Sequence, residues 1–357
     1  MISYDHPASV TALDAISAAQ KLAFSPIAFQ ASVALVRLEI LDAVEQTGDA
    51  GASVEEIAAR LGLGTYGVSV LLEMGASIGL VWLRGDRYVL DKVGHFLLNY
   101  KMTRVNMNFV ADVCYSAMSQ LGDSVQRAAP RGLREFGDWR TLYPGLTALP
   151  EPARSSWFAF DQFYSNAAFV DALPKVFASS PRRIVDVGGN TGAWARACTG
   201  YDPAVRVTLV DLPEQIAAAR ALLHGSSCAD RIELWAADVL DESQPLPRGA
   251  DTVWMSQFLD CFAEDQITRI LARVSDVIRD GGALFVLELF SDRQRHEAAT
   301  YSLNATSLYF TCIANGVSRM YRARDFLRML DAAGFEVAAQ HDDLGLGHTL
   351  LHCTKRA

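Results

Sequence analysis

The chain of 357 residues is short of several features, and each absence narrows its chemistry. No uninterrupted apolar stretch approaches the ~20 residues of a membrane-spanning helix, and the opening MISYDHPASV has no basic region leading into an apolar run. A protein that neither enters a membrane nor is exported is expected, with a cytoplasmic location. Basic residues are outnumbered, 32 Lys and Arg against 41 Asp and Glu, so the formal charge of −9 offers no chain-wide footprint for nucleic acid or an anionic membrane. The six cysteines, Cys114, Cys198, Cys228, Cys261, Cys312 and Cys353, show no CxxC spacing, which favours reduced thiols over disulfides or a zinc site. With neither HExxH nor HxH, no metal is expected. Internal repeats and low-complexity tracts are missing too.

What remains is half apolar and one-fifth charged, the composition of a globular protein, on a chain long enough for two domains. In FQASVALVRLEILDAVEQTG, Phe29, Val33, Val36, Ile40 and Val44 recur every three or four residues and predict one long amphipathic helix. SVEEIAARLGLG opens with Ser53 and Glu56 in capping-box spacing and predicts a helix ending near Gly62. A second helix is expected from about Gly67 to Ile78, then a hairpin about Gly85 and Asp86. Helix, turn, helix and hairpin make a winged-helix arrangement over 1–100, which raises DNA binding. A reading helix needs Arg, Lys, Asn or Gln on its exposed face, and TYGVSVLLEMGASIGL has only Glu73 as a charge, so dimerisation or covering a substrate site is preferred. Residues 101–180 stay helical, and the aromatics Trp157, Phe158, Phe160, Phe163 and Tyr164 fit a core better than a ligand site.

From 181 to 357 the pattern changes to strands alternating with helices. RRIVDVGGNTGAWARACTG is a strand, a turn with Gly188, Gly189 and Gly192, and a helix. The spacing is GGxxG, not GxGxxG, and no Gly-Lys-Ser/Thr follows to hold a triphosphate. A second strand ends at Asp211, placed for ribose hydroxyls; a third ends at Asp238, placed for an adenine amino group; two more follow. The fold class is α/β, a doubly wound, mostly parallel sheet whose ligand lies beyond the strand C-termini, with a helical N-terminal domain. Asp186, Asp211, Asp238, Asp260 and Glu288 all fall near those ends, an acidic rim better suited to a cationic nucleoside than to a pyrophosphate.

DVGGNTG, VDLP, AADVLDE, FLDCFAEDQ and LELF resemble the small-molecule O-methyltransferases of the caffeate type over nearly the whole chain. The resemblance implies S-adenosyl-L-methionine as cofactor, a small aromatic hydroxylated acceptor, and a homodimer built by the N-terminal part. It implies that Gly188, Gly189 and Gly192 line the cofactor with Asp186 at its methionine end, that Asp211 binds ribose, and that Asp238 with Val239 meets the adenine. Ser256 falls where many relatives have a lysine beside the cofactor. Tyr309, Asn315 and Phe163 become candidate acceptor contacts.

At its catalytic positions the chain departs from that family. The family's His-Asp-Trp, whose His is the general base, is matched by Asp260-Cys261-Phe262; a supporting Glu is kept as Glu288, and a second becomes Ser318. Asp260 and Glu288 are therefore the expected acceptor-activating pair, with the Asp260 pKa raised by burial. Three readings stay open: O-methylation, methylation of an aromatic ring carbon, and an offshoot that holds the cofactor for another purpose, beside the competing class of a ligand-responsive winged-helix regulator. Asp260 as a plain helix cap is compatible with each, and His341 and His348 are further bases that a loop could turn toward the pocket.

Overall fold

The computed structural model describes residues 9–356. Contacts divide them between Val113 and Cys114 into two compact units, so the expected connector 101–180 is shared between the units.

In residues 9–113 a helix Ala12–Ala23, capped by the Thr11 hydroxyl on the Asp14 amide, buries none of its residues. The single long helix expected next is two, Ser25–Arg37 and Ile40–Glu45, broken at Glu39 with φ +60°. The cause is the breadth of the buried set: Val33, Leu35, Val36, Ile40, Leu41, Ala43 and Val44 span too wide an arc for one helical stripe. The predicted capping box forms on Val54–Leu61, with Glu56 N on Ser53 Oγ and Ser53 N on Glu56 Oε2, and Gly62 ends that helix with φ +66°. Helix Thr65–Ser77 and the antiparallel strands β1 (Val81–Arg84) and β2 (Arg87–Leu90) complete the winged-helix-like order around a core that includes Leu35, Ile40, Ile57, Leu72 and Val81.

The second unit is organised by β3 (Arg183–Val187), β4 (Arg206–Asp211), β5 (Ile232–Ala236), β6 (Ala250–Ser256), β7 (Ile278–Glu288), β8 (Phe335–Leu344) and β9 (His348–Lys355). They form one sheet in the order β5-β4-β3-β6-β7-β9-β8, parallel except for β9, which runs antiparallel to both neighbours. Apolar clusters cover both faces, one around Val253, Leu284 and Phe326, the other around Trp194, Leu209 and Trp254. This double burial is why the strands read as continuous apolar runs. Strand order reverses between β3 and β6, which opens a crevice beyond their carboxyl ends. No helix among the described residues is long and apolar enough to cross a membrane.

Candidate active site

The glycine turn after β3 is compact because side chains have no room there. Gly188 has φ +75°, and a Cβ on it would stand 2.1 Å from the Phe258 ring; one on Gly189 would stand 2.5 Å from Asp186 Oδ2. Asp186 is 2% exposed, its Oδ2 has no partner, and burial, with Asp211 as a second contributor, pushes its pKa up to about 8. Gly192 does not line the cavity at this turn: it begins helix Ala193–Tyr201 and faces Leu209 and Leu223.

At the end of β4, Asp211 Oδ2 accepts from the Asn190 amide at 2.8 Å and Oδ1 from Leu212 N at 2.7 Å. Burial nonetheless holds its pKa at about 6. Beyond β5, Asp238 Oδ1 accepts from Leu240 N, and Val239 is buried beside it. β6 ends at Ser256, whose Oγ is buried without a partner, and continues into Gln257, a non-glycine residue at φ +47° tied by its amide to Ser165 Oγ at 2.7 Å.

The next turn carries Asp260. Glu288, at the end of β7, accepts from Phe258 N at 3.1 Å and Leu259 N at 3.0 Å through Oε1, and so pins the 3₁₀ turn Leu259–Cys261. Asp260 is not the cap of the following helix: that helix runs Glu264–Val277, begins at Ala263, and has Gln266 accepting from the Ala263 amide. Asp260 lies 5% exposed with Cys261 Sγ 3.5 Å from its Oδ1, and burial raises its pKa to about 7. Glu288 is raised well above the carboxylate range, first by burial and then by Asp260.

A cavity of about 620 Å³ joins these strand ends to a second wall, within the ~300–1,000 Å³ usual for small-molecule sites. Asp186, Gly188, Gly189, Asp211, Asp238, Val239, Ser256 and Asn315 line it; Gly192, Asp260, Glu288, Phe163 and Tyr309 do not. Asp260 and Glu288 are buried off the cavity, in contact with Cys261 and the Phe258 amide, whose residues do line it. Helix Ala153–Ala167 turns Trp157, Asp161 and Ser165 inward at i, i+4, i+8; Phe163, two residues or ~200° on from Asp161, packs edge-on to Tyr164 instead. Tyr309 backs the wall by accepting from Trp157 Nε1 at 2.8 Å. Asn315 reaches the cavity but is occupied: its amide nitrogen lies 2.7 Å from Ser318 Oγ and 2.9 Å from Tyr143 Oη and the Cys261 carbonyl. His348 is fully buried, its pKa depressed to about 4 by burial, and neither it nor His341 lines the cavity.

Sequence reasoning missed Asp161, a lining carboxylate that accepts from Asn190 Nδ2 at 3.3 Å and is pushed to about 6 by burial. It also missed Tyr143 and the stacked Trp194 and Trp254, whose rings are 3.8 Å apart and whose indole nitrogens have no partner. The helical spacing of Trp157, Asp161 and Ser165 was the available signal, but amphipathic spacing alone does not separate a ligand wall from a core.

An O-methyltransferase domain model matches residues 165–336, and a Dimerisation2-like domain model matches 17–88. A 3-hydroxy-5-methyl-1-naphthoate 3-O-methyltransferase from Streptomyces sahachiroi is 32% identical over 267 residues, 72% of this chain and 73% of its own. The chain belongs to the O-methyltransferase family. An L-tyrosine C(3)-methyltransferase from Streptomyces lavendulae is 22% identical over 87% of this chain and 84% of its own. The solved structure of a mitomycin 7-O-methyltransferase superposes with a TM-score of 0.73 at 20% identity, covering 97% of this chain and 98% of that one. This is an S-adenosylmethionine-dependent methyltransferase, and its residues fit that cofactor: Gly188 and Gly189, where a Cβ would collide with Phe258 and Asp186, let bare backbone line the cavity, and the buried, unpartnered Asp186 oxygen suits a cation.

Proposed function

We propose that the chain transfers a methyl group from S-adenosylmethionine to a hydroxyl oxygen of a small aromatic metabolite, with Asp260 and Glu288 positioning or deprotonating that hydroxyl. The observation that carries this reading is the single cavity in which strand-end carboxylates and a wall bearing Tyr143, Trp157, Phe258 and Phe262 face the same space. When bound, the cofactor supplies an electrophilic methyl on a sulfonium. The chain's own residues then hold a cationic nucleoside, align an acceptor for in-line attack and take up a proton.

Asp211 receives the ribose hydroxyls, Asp238 and Val239 meet the adenine, and Asp186, Gly188, Gly189 and Ser256 surround the methionine end. A base near 7 removes a phenolic proton with more driving force than an ordinary carboxylate near ~4, so burial tunes Asp260 in the useful direction. Asp260 does not itself line the cavity, whereas Cys261, with Sγ 3.5 Å from Asp260 Oδ1, does. Glu288 keeps this turn in place through two backbone amides. The protein acts as a cytoplasmic homodimer without nucleic-acid or membrane partners. Supporting the dimer, helix Ala12–Ala23 buries nothing and exposes Leu13 at 76%, Ile16 at 60% and Leu22 at 73%.

Ring-carbon methylation is the second reading. It is favoured by the retreat of Asp260 from the cavity wall and by the tyrosine C-methylating relative, since attack by carbon depends more on ring orientation than on a base at the oxygen. The test is incubation of phenolic acceptors with methyl-labelled S-adenosylmethionine, with products assigned by NMR as aryl ether or ring methyl. Ether formation that falls at least tenfold in Asp260→Ala supports the first reading. A ring methyl selects the second, and no transfer to any acceptor sinks both.

A further inference from the structure

The cavity wall is acidic with one exception. Asp161, Asp186, Asp211, Asp238 and Asp265 line it, and Arg140 is its one Lys, Arg or His among the described residues. Four of those carboxylates are engaged elsewhere: Asp161 with the Asn190 amide, Asp211 with two backbone amides, Asp238 with Leu240 N, and Asp265 with Arg269 at 3.5 Å. Arg140 itself is exposed at the rim and has no ion pair or hydrogen bond among the described residues.

The segment that carries it is nevertheless fixed. Trp139 packs onto Gly137 and Gly145 so closely that a Cβ on either would stand 2.5 or 2.4 Å from its ring. Leu142 N donates to the Ala314 carbonyl at 2.7 Å, and Tyr143 is held through its hydroxyl by Asn315 and through its carbonyl by Gln215 at 3.2 Å. An exposed, unpaired guanidinium on a fixed segment at the mouth, with the half-buried Tyr143, Trp157, Phe258 and Phe262 lining the same cavity, has the layout of a site for an aromatic ring that carries its anion at the outer end.

We infer that the acceptor is an aryl carboxylate whose carboxylate is received by Arg140 while its ring enters the aromatic part of the cavity. This rests on the proposed methyl transfer to a hydroxylated aromatic. A planar guanidinium matches a carboxylate with two parallel hydrogen bonds, and at the rim neither ion is fully desolvated, so the pairing avoids the penalty of a buried salt bridge. One guanidinium balances one negative charge. A phosphate monoester would bring about −1.5 to −2 toward five aspartates and is disfavoured.

The test is binding, so it does not depend on turnover. A hydroxynaphthoic acid, its methyl ester and the parent naphthol are titrated into wild type, Arg140→Gln and Arg140→Lys in the presence of S-adenosylhomocysteine. The acid is expected to bind wild type at least tenfold tighter than the ester. That preference should vanish in Arg140→Gln and return in part in Arg140→Lys, while the S-adenosylmethionine Kd stays within twofold. Equal binding of acid and ester by wild type overturns the inference. So does a selective loss of S-adenosylmethionine affinity in Arg140→Gln, which would make the cofactor's own carboxylate the partner. Failure of the methyl-transfer reading looks different: the acid would bind with its preference intact, yet no probe would be methylated.

Discussion

The sheet side of the cavity is made from the ends of adjacent strands, where the pairing of β3 with β4 and β6 sets Asp186 opposite Leu209 and Trp254. The opposite side is made from one helical face, Trp157, Asp161 and Ser165, and from the segments around Tyr143 and Asn315, held by side-chain hydrogen bonds such as Gln257 to Ser165 and Asn315 to Tyr143. The first side depends on backbone register, so its carboxylates are fixed by the fold itself. The second depends on individual side chains and can change its ligand without changing the fold. Substitutions on the two sides should therefore separate cofactor binding and stability from acceptor binding.

The largest separation is expected from Asp211→Ala. Removing a carboxylate that organises Asn190 and Leu212, and that is proposed to receive the ribose, should raise the S-adenosylmethionine Kd about 100-fold, the size of one or two charge-assisted hydrogen bonds, as read by calorimetry. A change under threefold would show that this strand end is not the nucleoside site. Gly188→Ala comes next, because it forces a side chain at φ +75° into the Phe258 ring; a loss of about 2–3 kcal/mol in denaturant unfolding is expected. If stability is unchanged, the turn is softer than its packing implies.

A pH series sharpens the same side. Burial raises Asp186 to about 8 and Asp211 to about 6, so between roughly pH 4 and 8 the folded protein holds protons that the unfolded chain has released, and its stability without ligand falls as pH rises through that window. A cationic ligand favours the ionised carboxylates. S-adenosylmethionine affinity should therefore increase up to about tenfold from pH 6 to 7.5 with proton release, whereas S-adenosylhomocysteine, lacking the sulfonium charge, should show a shallower slope. Parallel slopes for the two ligands would remove the carboxylates from cation recognition. The smallest effect is expected from Trp157→Phe, which keeps an aromatic wall but loses the indole donor to Tyr309: acceptor KM rising about threefold to tenfold with the cofactor Kd unchanged. A shift confined to the cofactor Kd would mean that the two walls are not separable.

The same contrast explains what could be read in advance. DVGGNTG, the acid ending VTLVD and the acid in AADVLDE announced the sheet side because a strand, a tight glycine turn and a strand-end carboxylate are local patterns. The capping box at Ser53 and the hairpin about Gly85 were legible for the same reason. The helix break at Glu39 was not, because it follows from which residues reach one core. Nor was the setting of Asp260, whose chain position matches a catalytic base but whose carboxylate is buried off the cavity beside Cys261, in a turn pinned by Glu288 from the next strand.

Residue order alone therefore carries the α/β class, the glycine cradle and the carboxylates at the ends of β3, β4 and β5, since each depends on neighbours a few residues away. Only tertiary packing decides that Asp161 and Arg140 face the cavity while Glu288, Phe163 and Tyr309 do not, and that Asp186 and Asp260 are held near neutral pH. Lining and desolvation are properties of the space enclosed between elements distant in sequence, and that space exists only once the sheet, the helix Ala153–Ala167 and the segment around Tyr143 have come together.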